Sequence, residues 1–375
     1  MNDELSLFRE TARAFVEKEC VPHYERWCEQ HCVDRDLWTK AGKLGLLCPS
    51  VPEEYGGAGG DYAHDTVVIE EVARGGATAW GNGVHSTIVA HYLLAYGTEE
   101  QKRRWLPKMA SGEMVGAIAM SEPGTGSDLQ AIKTRAKREG EEYVINGAKT
   151  FISNGLQCDL LILAARTGEA KGGSGLSLIV IETSDDLPGF ERAKVLQKIG
   201  MKGQDTTELF FDDLHVPAEN LLGGSEGQGF IQLMEQLPQE RMVISITAVA
   251  TMEAVLEHTV AYTKDRQAFG KPLMGFQNTR FKLAECATTT RIARVFLDDC
   301  ISRHIAGELD TTTAYMAKWW LTEQQCALID ECLQLHGGYG YMLEYPVARA
   351  YIDSRAQRIY GGANEIMKEL IARAL

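Results

Sequence analysis

The chain lacks every arrangement of cysteine that staples a small protein or holds a structural zinc ion. Its nine cysteines are an odd number at irregular spacing with no C-x-x-C pair, which excludes a disulfide framework as the organising device. Cys28 and Cys32 flank His31 at helical spacing, but two ordinary helical thiols explain them at least as well as a metal half-site. No metal is expected. Positive charge is also scarce, with 38 Lys plus Arg against 52 Asp plus Glu and a net charge of −14. That sign opposes a partner held by counterion release, so nucleic acid is disfavoured. No apolar run approaches the ~18 uninterrupted residues of a membrane span, and the start MNDELSLFRE has no basic segment followed by an apolar one. A soluble, unexported, cytoplasmic protein is expected. Glycine and proline, 37 and 10 of 375 residues, stay well under the roughly 25–30% of low-complexity chains, so an ordered fold is expected.

Several chemistries are missing too. There is no G-x-x-x-x-G-K-[ST] and no H-E-x-x-H, which removes P-loop and zincin mechanisms. No Glu is followed by His three residues later, so a bundle-type di-iron site is absent. Gly223-Gly224-Ser225-Glu226-Gly227 has the letters G-x-S-x-G, but Pro217-Ala218-Glu219-Asn220 precedes it instead of an apolar strand. It reads as a linker and helix start.

What is present changes texture twice along the chain. From Asp3 to about Ala110 the apolar residues recur at helical spacing, as in Leu5, Phe8, Ala12 and Phe15. The turn-rich stretch from Pro52 to Gly60 interrupts this pattern without the flanking strand that a dinucleotide fingerprint needs. From about Met114, short β-branched and apolar runs (Met114 to Met120, Tyr143 to Asn146, Leu160 to Ala164, Leu176 to Ile181, Glu208 to Phe211) alternate with Gly, Asn, Asp and Pro turns. From Gly229 helix returns in long pieces, broken near Gly270, Gly307, Gly337 and Gly361, which implies a bundle of four or five helices. The expected domains are residues 1–113, helical; 114–223, β; and 224–375, helical.

Four segments combine glycines with polar groups. Ala119-Met120-Ser121-Glu122-Pro123-Gly124-Thr125-Gly126-Ser127-Asp128 follows an apolar strand and gathers hydroxyls and backbone N–H groups into one turn. A β-turn held by its own side chains would look the same. Asp265 to Lys271 offers Arg266 for a pyrophosphate and Phe269 for stacking, although a helix C-terminus capped by Gly270 explains it alone. Gln334-Leu335-His336-Gly337-Gly338-Tyr339-Gly340-Tyr341 carries more glycines than a helix–helix turn needs. Arg358 to Glu365 places Gly361 and Gly362 just before the last helix, whose first N–H groups can face an anion.

Together these segments resemble the acyl-CoA dehydrogenase family over nearly the whole chain. Its two long motifs are SEPGTGSD, within Ala119 to Ala131, and QLHGGYGYMLEYPVARAYID, from Gln334 to Asp353. The resemblance implies an α+β multi-domain fold: an N-terminal all-α domain, a middle β-barrel-like domain and a C-terminal four-helix bundle. It also implies FAD as cofactor and conversion of an acyl-CoA to its trans-2-enoyl-CoA, in fatty acid β-oxidation or a related pathway. A carboxylate takes the α-proton and the β-hydrogen leaves as hydride to flavin N5. LPQER and IYGGANEIMKELIAR are most similar to the long-chain type, and the substrate implied is a medium- or long-chain or branched acyl-CoA.

The same resemblance assigns site residues. Met120, Ser121, Phe151, Ile152 and Ser153 fall to the isoalloxazine, and Gly126 and Ser127 are further implied cofactor contacts. Arg266, Phe269, Gln277, Gln334, Gly337 and Gly338 would hold the adenosine diphosphate half of a FAD in a neighbouring subunit, with Ala363 and Glu365 also beside cofactor. That implies a homo-oligomer, usually a tetramer, reoxidised by electron-transfer flavoprotein. Ser127, Arg241, Tyr360 and Gly361 are implied substrate contacts. Two positions depart from the family: Thr125 stands where a smaller residue is commoner, and Ala363 replaces a Thr.

The base is Glu240 on this reading. Most relatives carry Glu at the position of Gly361, and a smaller subset takes the base from the first long bundle helix, where Glu240 lies. Around it, Met242, Val243, Ile244, Ile246, Ala248, Val249 and Ala250 are apolar on nearly every face, so the helix is expected to be buried and its carboxylate desolvated. Alternatively, Pro238 starts a helical turn and Glu240 only complements its dipole. Glu365 is the nearest rival as base. Trp80, on the stretch to Val89, either shortens the acyl pocket or belongs to the core. The alternative functions are an acyl-CoA oxidase-like flavoenzyme using oxygen and a non-catalytic helical binding protein.

Overall fold

The computed structural model describes residues 3–170 and 172–375. Helices α1 (Asp3–Phe15), α2 (Tyr24–Gln30), α3 (Asp36–Lys43), α4 (Tyr62–Arg74), α5 (Asn82–Val84), α6 (Ala90–Tyr96) and α7 (Glu99–Ala110) come first. Asp61 and Thr98 form capping boxes at the starts of α4 and α7, satisfying amide donors that a helix start would otherwise leave free. A π-turn, His85–Val89, joins α5 to α6.

Seven strands follow: β1 (Gly116–Ala119), β2 (Arg135–Glu139), β3 (Glu142–Ser153), β4 (Leu160–Arg166), β5 (Leu176–Glu182), β6 (Phe190–Val195) and β7 (Thr206–Pro217). They form one sheet in the order β1-β4-β2-β3-β7-β6, with β5 beside β4. The near-continuous apolar runs of β4 and β5 have a direct cause. Leu160, Ile162 and Ala164 pack with Tyr92, Trp105, Leu106 and Met109 of the helical domain. Leu161, Leu163 and Ala165 point the other way, into the sheet's own core with Tyr143, Ile152 and Leu209. Both faces are buried, so the usual polar alternation disappears.

The bundle comprises α8 (Gly229–Asp265), α9 (Gln277–Ile305), α10 (Thr311–His336), α11 (Pro346–Ser354) and α12 (Asn364–Arg373). A small hairpin, β8 (Gln267–Ala268) with β9 (Lys271–Pro272), separates α8 from α9. By length and composition α8 is apolar enough to cross a membrane, but it packs against α4, α9 and α10, and this burial accounts for its composition. The helical, β and helical order agrees with the fold class expected above.

Polar contacts lock the three parts together. Arg294 on α9 pairs with Glu70 of α4 at 2.6 Å and with Glu253 of α8 at 2.8 Å. The buried carboxylate of Asp353 on α11 accepts from Tyr24 at 3.1 Å, from Thr78 at 2.6 Å and from the Met201 amide. One bundle residue thus ties down both other domains.

One expectation needs correction. Pro238 does not open a helix; it lies inside α8, which begins at Gly229. The ring offers no N–H to the carbonyl one turn earlier, yet the helix runs on because the residues directly after it, Gln239 to Ile246, are all buried. Glu240 therefore sits in the helix interior rather than at its entrance, and the dipole-complement explanation loses its premise, since that effect fades beyond the first turn.

Candidate functional site

Glu240 is 6% exposed. Its Oε1 accepts a hydrogen bond of 2.7 Å from the Tyr92 hydroxyl, and among the described residues no hydrogen bond reaches Oε2. Burial pushes the carboxyl upward from its ordinary value, while Tyr92 and the neighbouring Arg241 cation oppose that rise. A carboxylate held in this way is a poised proton acceptor.

Arg241 is equally buried. Its Nε donates to the Gly361 carbonyl at 3.3 Å, and its guanidinium lies 4.6 Å from the Tyr315 ring centre. Helix α8 thereby meets the loop before α12 beside Glu240. Gly361 has φ of +64°, and a Cβ built there would lie 2.2 Å from Cδ1 of Ile244. Ile244 is four residues beyond Glu240, on the same face of α8. The space where a side chain at 361 would begin is filled from the helix that carries Glu240.

The loop is held from behind by Lys318 on α10, a fully buried cation. Its Nζ donates to the Gly362 carbonyl at 2.7 Å and to Oδ1 of Asn364 at 2.9 Å. Burial, reinforced by the Arg241 charge, pulls its pKa down to about 8. Ala363 is the residue before α12, and Glu365 is exposed in that helix's first turn. Tyr360 is partly exposed on the same loop.

The second group forms where β1 and β3 meet. The Thr150 amide donates to the Ser121 carbonyl at 3.0 Å, which joins the Met120-Ser121 turn to the Phe151-Ser153 segment. Beneath the turn, the fully buried Lys149 donates to the Met120 carbonyl at 2.9 Å and to Glu122 at 3.0 Å. Burial lowers the Lys149 pKa to about 8. Glu122 in turn accepts from the Lys133 and Thr134 amides at 2.7 and 2.8 Å, closing the base of the loop. Phe151 has φ of +61° and is 69% exposed, at a register shift between β3 and β7. Ile152 points into the sheet core, so only its backbone is available to a ligand. Gly126 and Ser127 are exposed, and a Cβ at Gly126 would meet nothing within 4 Å.

The third group lines an open groove of about 650 Å³ that brings together Arg266, Gln334, Gly337 and Gly338 with Tyr262 and Tyr339. Cβ atoms at Gly337 and Gly338 would project into open space, so these glycines leave backbone bare to the groove. Phe269 and Gln277 do not line it; they sit on the β8–β9 turn and at the start of α9. Phe269 is 96% exposed with a positive φ of +49°. Its ring meets that of Phe276 edge-on, with 6.2 Å between the centres. Bare glycine backbone and a guanidinium suit a pyrophosphate, and the exposed ring suits a base. The donor set therefore fits a flavin dinucleotide.

Tyr92, Lys149 and Lys318 are not singled out by the sequence, and Ile244 is read there only as part of a buried helix. The only local signal is a lysine inside an apolar stretch, Ala148-Lys149-Thr150-Phe151 and Met316-Ala317-Lys318-Trp319, which demands buried acceptors. Trp80 proves to be core: it is 3% exposed and packs on Phe15 and Trp38. Residues of that stretch beside α8 include Gly83, where a Cβ would come within 3.3 Å of Val243, and Thr87, whose carbonyl accepts from Gln239.

Comparison with known proteins bears on all three domains. Family models described as "Acyl-CoA dehydrogenase, N-terminal domain", "middle domain" and "C-terminal domain" match residues 2–113, 117–214 and 227–375. A "Long-chain specific acyl-CoA dehydrogenase, mitochondrial" from Rattus norvegicus is 47% identical, covering 100% of this chain and 87% of the relative. The crystal structure of an acyl-CoA dehydrogenase from Geobacillus kaustophilus superposes with a TM-score of 0.97 at 48% identity, covering 100% of this chain and 98% of that one. A glutaryl-CoA dehydrogenase from Mycobacterium smegmatis, solved in complex with FADH2, has a TM-score of 0.92 at 28% identity, covering 100% and 95%.

Proposed function

The chain belongs to the acyl-CoA dehydrogenase family, and from that premise we propose that Glu240 is the base that removes the α-proton from a long-chain type of acyl-CoA. The enzyme is an acyl-CoA dehydrogenase and its cofactor is FAD. When bound, FAD supplies the acceptor for the β-hydride.

The observation that carries the proposal is the pairing of Glu240 with Gly361. The carboxylate is buried with one oxygen anchored and the other free, while Ile244 occupies the room a carboxylate at 361 would need. As an acyl chain displaces water from the site, the desolvated carboxylate becomes a stronger base. Proton transfer moves an electron pair toward the thioester carbonyl, and a backbone N–H at Gly361 is the donor proposed to meet the growing charge. Lys318 fixes that loop through the Gly362 carbonyl. Arg241 holds the Gly361 carbonyl back, leaving the amide side of the loop to the substrate.

The long-chain preference is supported by the 47% identity to the rat enzyme. A panel of straight and branched acyl-CoAs, scored by kcat/KM, tests it. A neighbouring subunit is proposed to complete the dinucleotide site, supported by the bare Phe269 ring. Reoxidation by electron-transfer flavoprotein rather than oxygen is proposed on the same family reading; turnover sustained by oxygen alone contradicts it. For the base itself, rapid mixing of Glu240→Gln with acyl-CoA is expected to leave the bound flavin oxidised.

A further inference from the structure

We propose that Tyr92 is the positioning residue for Glu240, anchoring one carboxylate oxygen so that the other faces the substrate and setting the pH below which the base fails. The inference rests on the reading of Glu240 as base and deepens it.

The geometry is asymmetric. The Tyr92 hydroxyl, fully buried, donates to Oε1 at 2.7 Å, while Oε2 has no hydrogen-bond partner among the described residues. An unanchored carboxylate would exchange its two oxygens by rotation; a single strong donor removes that freedom. The neighbouring residue is pinned as well, since Nε2 of Gln239 donates to the Thr87 carbonyl at 2.7 Å. This section of α8 therefore has a fixed rotation relative to the segment that carries Tyr92.

That segment is phased for the purpose. The π-turn His85–Val89 precedes α6 directly. One extra residue in the turn rotates everything beyond it by about 100° around the helix axis, which is the difference between Tyr92 facing α8 and Tyr92 facing elsewhere.

Electrostatics point the same way. The groups facing Glu240 are Tyr92 from α6 and Arg241 from α8. Tyr96 stands behind Tyr92 with its ring 6.2 Å away, and Tyr315 and Lys318 of α10 stand behind Arg241. Arg241 is occupied by the Gly361 carbonyl and the Tyr315 ring. Among the described residues, Tyr92 is the one group that donates a hydrogen bond to the carboxylate. A donor that bonds the charged form favours ionisation, so its loss raises the pH at which Glu240 takes a proton from solvent.

Tyr92→Phe keeps the ring and removes the donor. Its acid limb for flavin reduction, normalised to bound flavin, is expected to move up by about one pH unit, which makes the rate about tenfold lower at any pH on the acid side. Normalisation confines the reading to folded, flavin-loaded enzyme. Independently, the infrared band of the protonated carboxyl that is missing from Glu240→Gln is expected to titrate at a correspondingly higher pH. A limb and band unmoved in Tyr92→Phe, with Glu240→Gln inactive, overturn the role of Tyr92 and leave the base assignment standing. A Glu240→Gln enzyme that reduces flavin at the wild-type rate overturns the base assignment, and this inference with it.

Discussion

Alanine at position 361 isolates the steric claim that the site makes. Gly361 has φ of +64°, and a Cβ there would fall 2.2 Å from Cδ1 of Ile244, far inside the ~3.5–4.0 Å of a relaxed carbon contact. Placing an L-residue in the left-handed region costs roughly 1–2 kcal/mol, and overpacking a filled site costs about 1–3 kcal/mol. Because Cδ1 is the movable end of the Ile244 side chain, the low end of that overpacking range applies, and Gly361→Ala is expected to destabilise the protein by about 2–3 kcal/mol. Ile244→Ala alone should also destabilise, by about 2–5 kcal/mol for the buried methyl groups it removes. The two changes share one space, so the double variant should be less destabilised than the separate effects imply, by about 1 kcal/mol. Equilibrium unfolding at fixed protein and FAD concentration measures all three variants. Strict additivity, or a Gly361→Ala variant as stable as wild type, would refute the claim that Ile244 occupies the place of a side chain at 361.

Two further outcomes are expected. Lys149 and Lys318 each have a pKa lowered to about 8 by burial, against about 10.4 for a free lysine. Between these values the unfolded chain binds protons that the folded one does not, so these two groups make stability rise as pH increases from about 8 to 10. The full shift corresponds to about 3 kcal/mol for each lysine, and Lys149→Met should flatten its part of the slope in a pH series of unfolding curves. Phe269→Ala removes a ring that is 96% exposed within its own subunit, so the subunit fold should be unaffected. Flavin should nevertheless be lost on dilution about ten- to a hundredfold more readily, given ~1.5–3 kcal/mol for a covered aromatic; unchanged flavin retention contradicts the shared-site reading.

The fold was most legible where one physical pattern dominates. The apolar runs of β4 and β5 mark strands buried on both faces, and the long apolar course of α8 marks a central helix. β2 escaped notice because four of its five residues, Arg135, Lys137, Arg138 and Glu139, are polar and exposed. Its place is fixed by pairing with β3, not by its own periodicity. The motif segments carried Glu240, Gly361 and the groove residues into view. Tyr92, Lys149, Lys318 and the contact of Ile244 with position 361 stayed hidden because each involves a partner distant in sequence; a buried tyrosine reads as core until Glu240 is found against its hydroxyl. Pro238 misled for a local reason, since its preference for a helix start was overridden by tertiary packing along α8.

The most direct test of the central claim compares Glu240→Gln with Glu365→Gln by rapid mixing with acyl-CoA, both loaded with FAD. Glu365 is exposed in the first turn of α12, and its variant should bleach the flavin at a substantial fraction of the wild-type rate. Glu240→Gln should bind FAD and leave it oxidised. Full bleaching in Glu240→Gln would contradict the account.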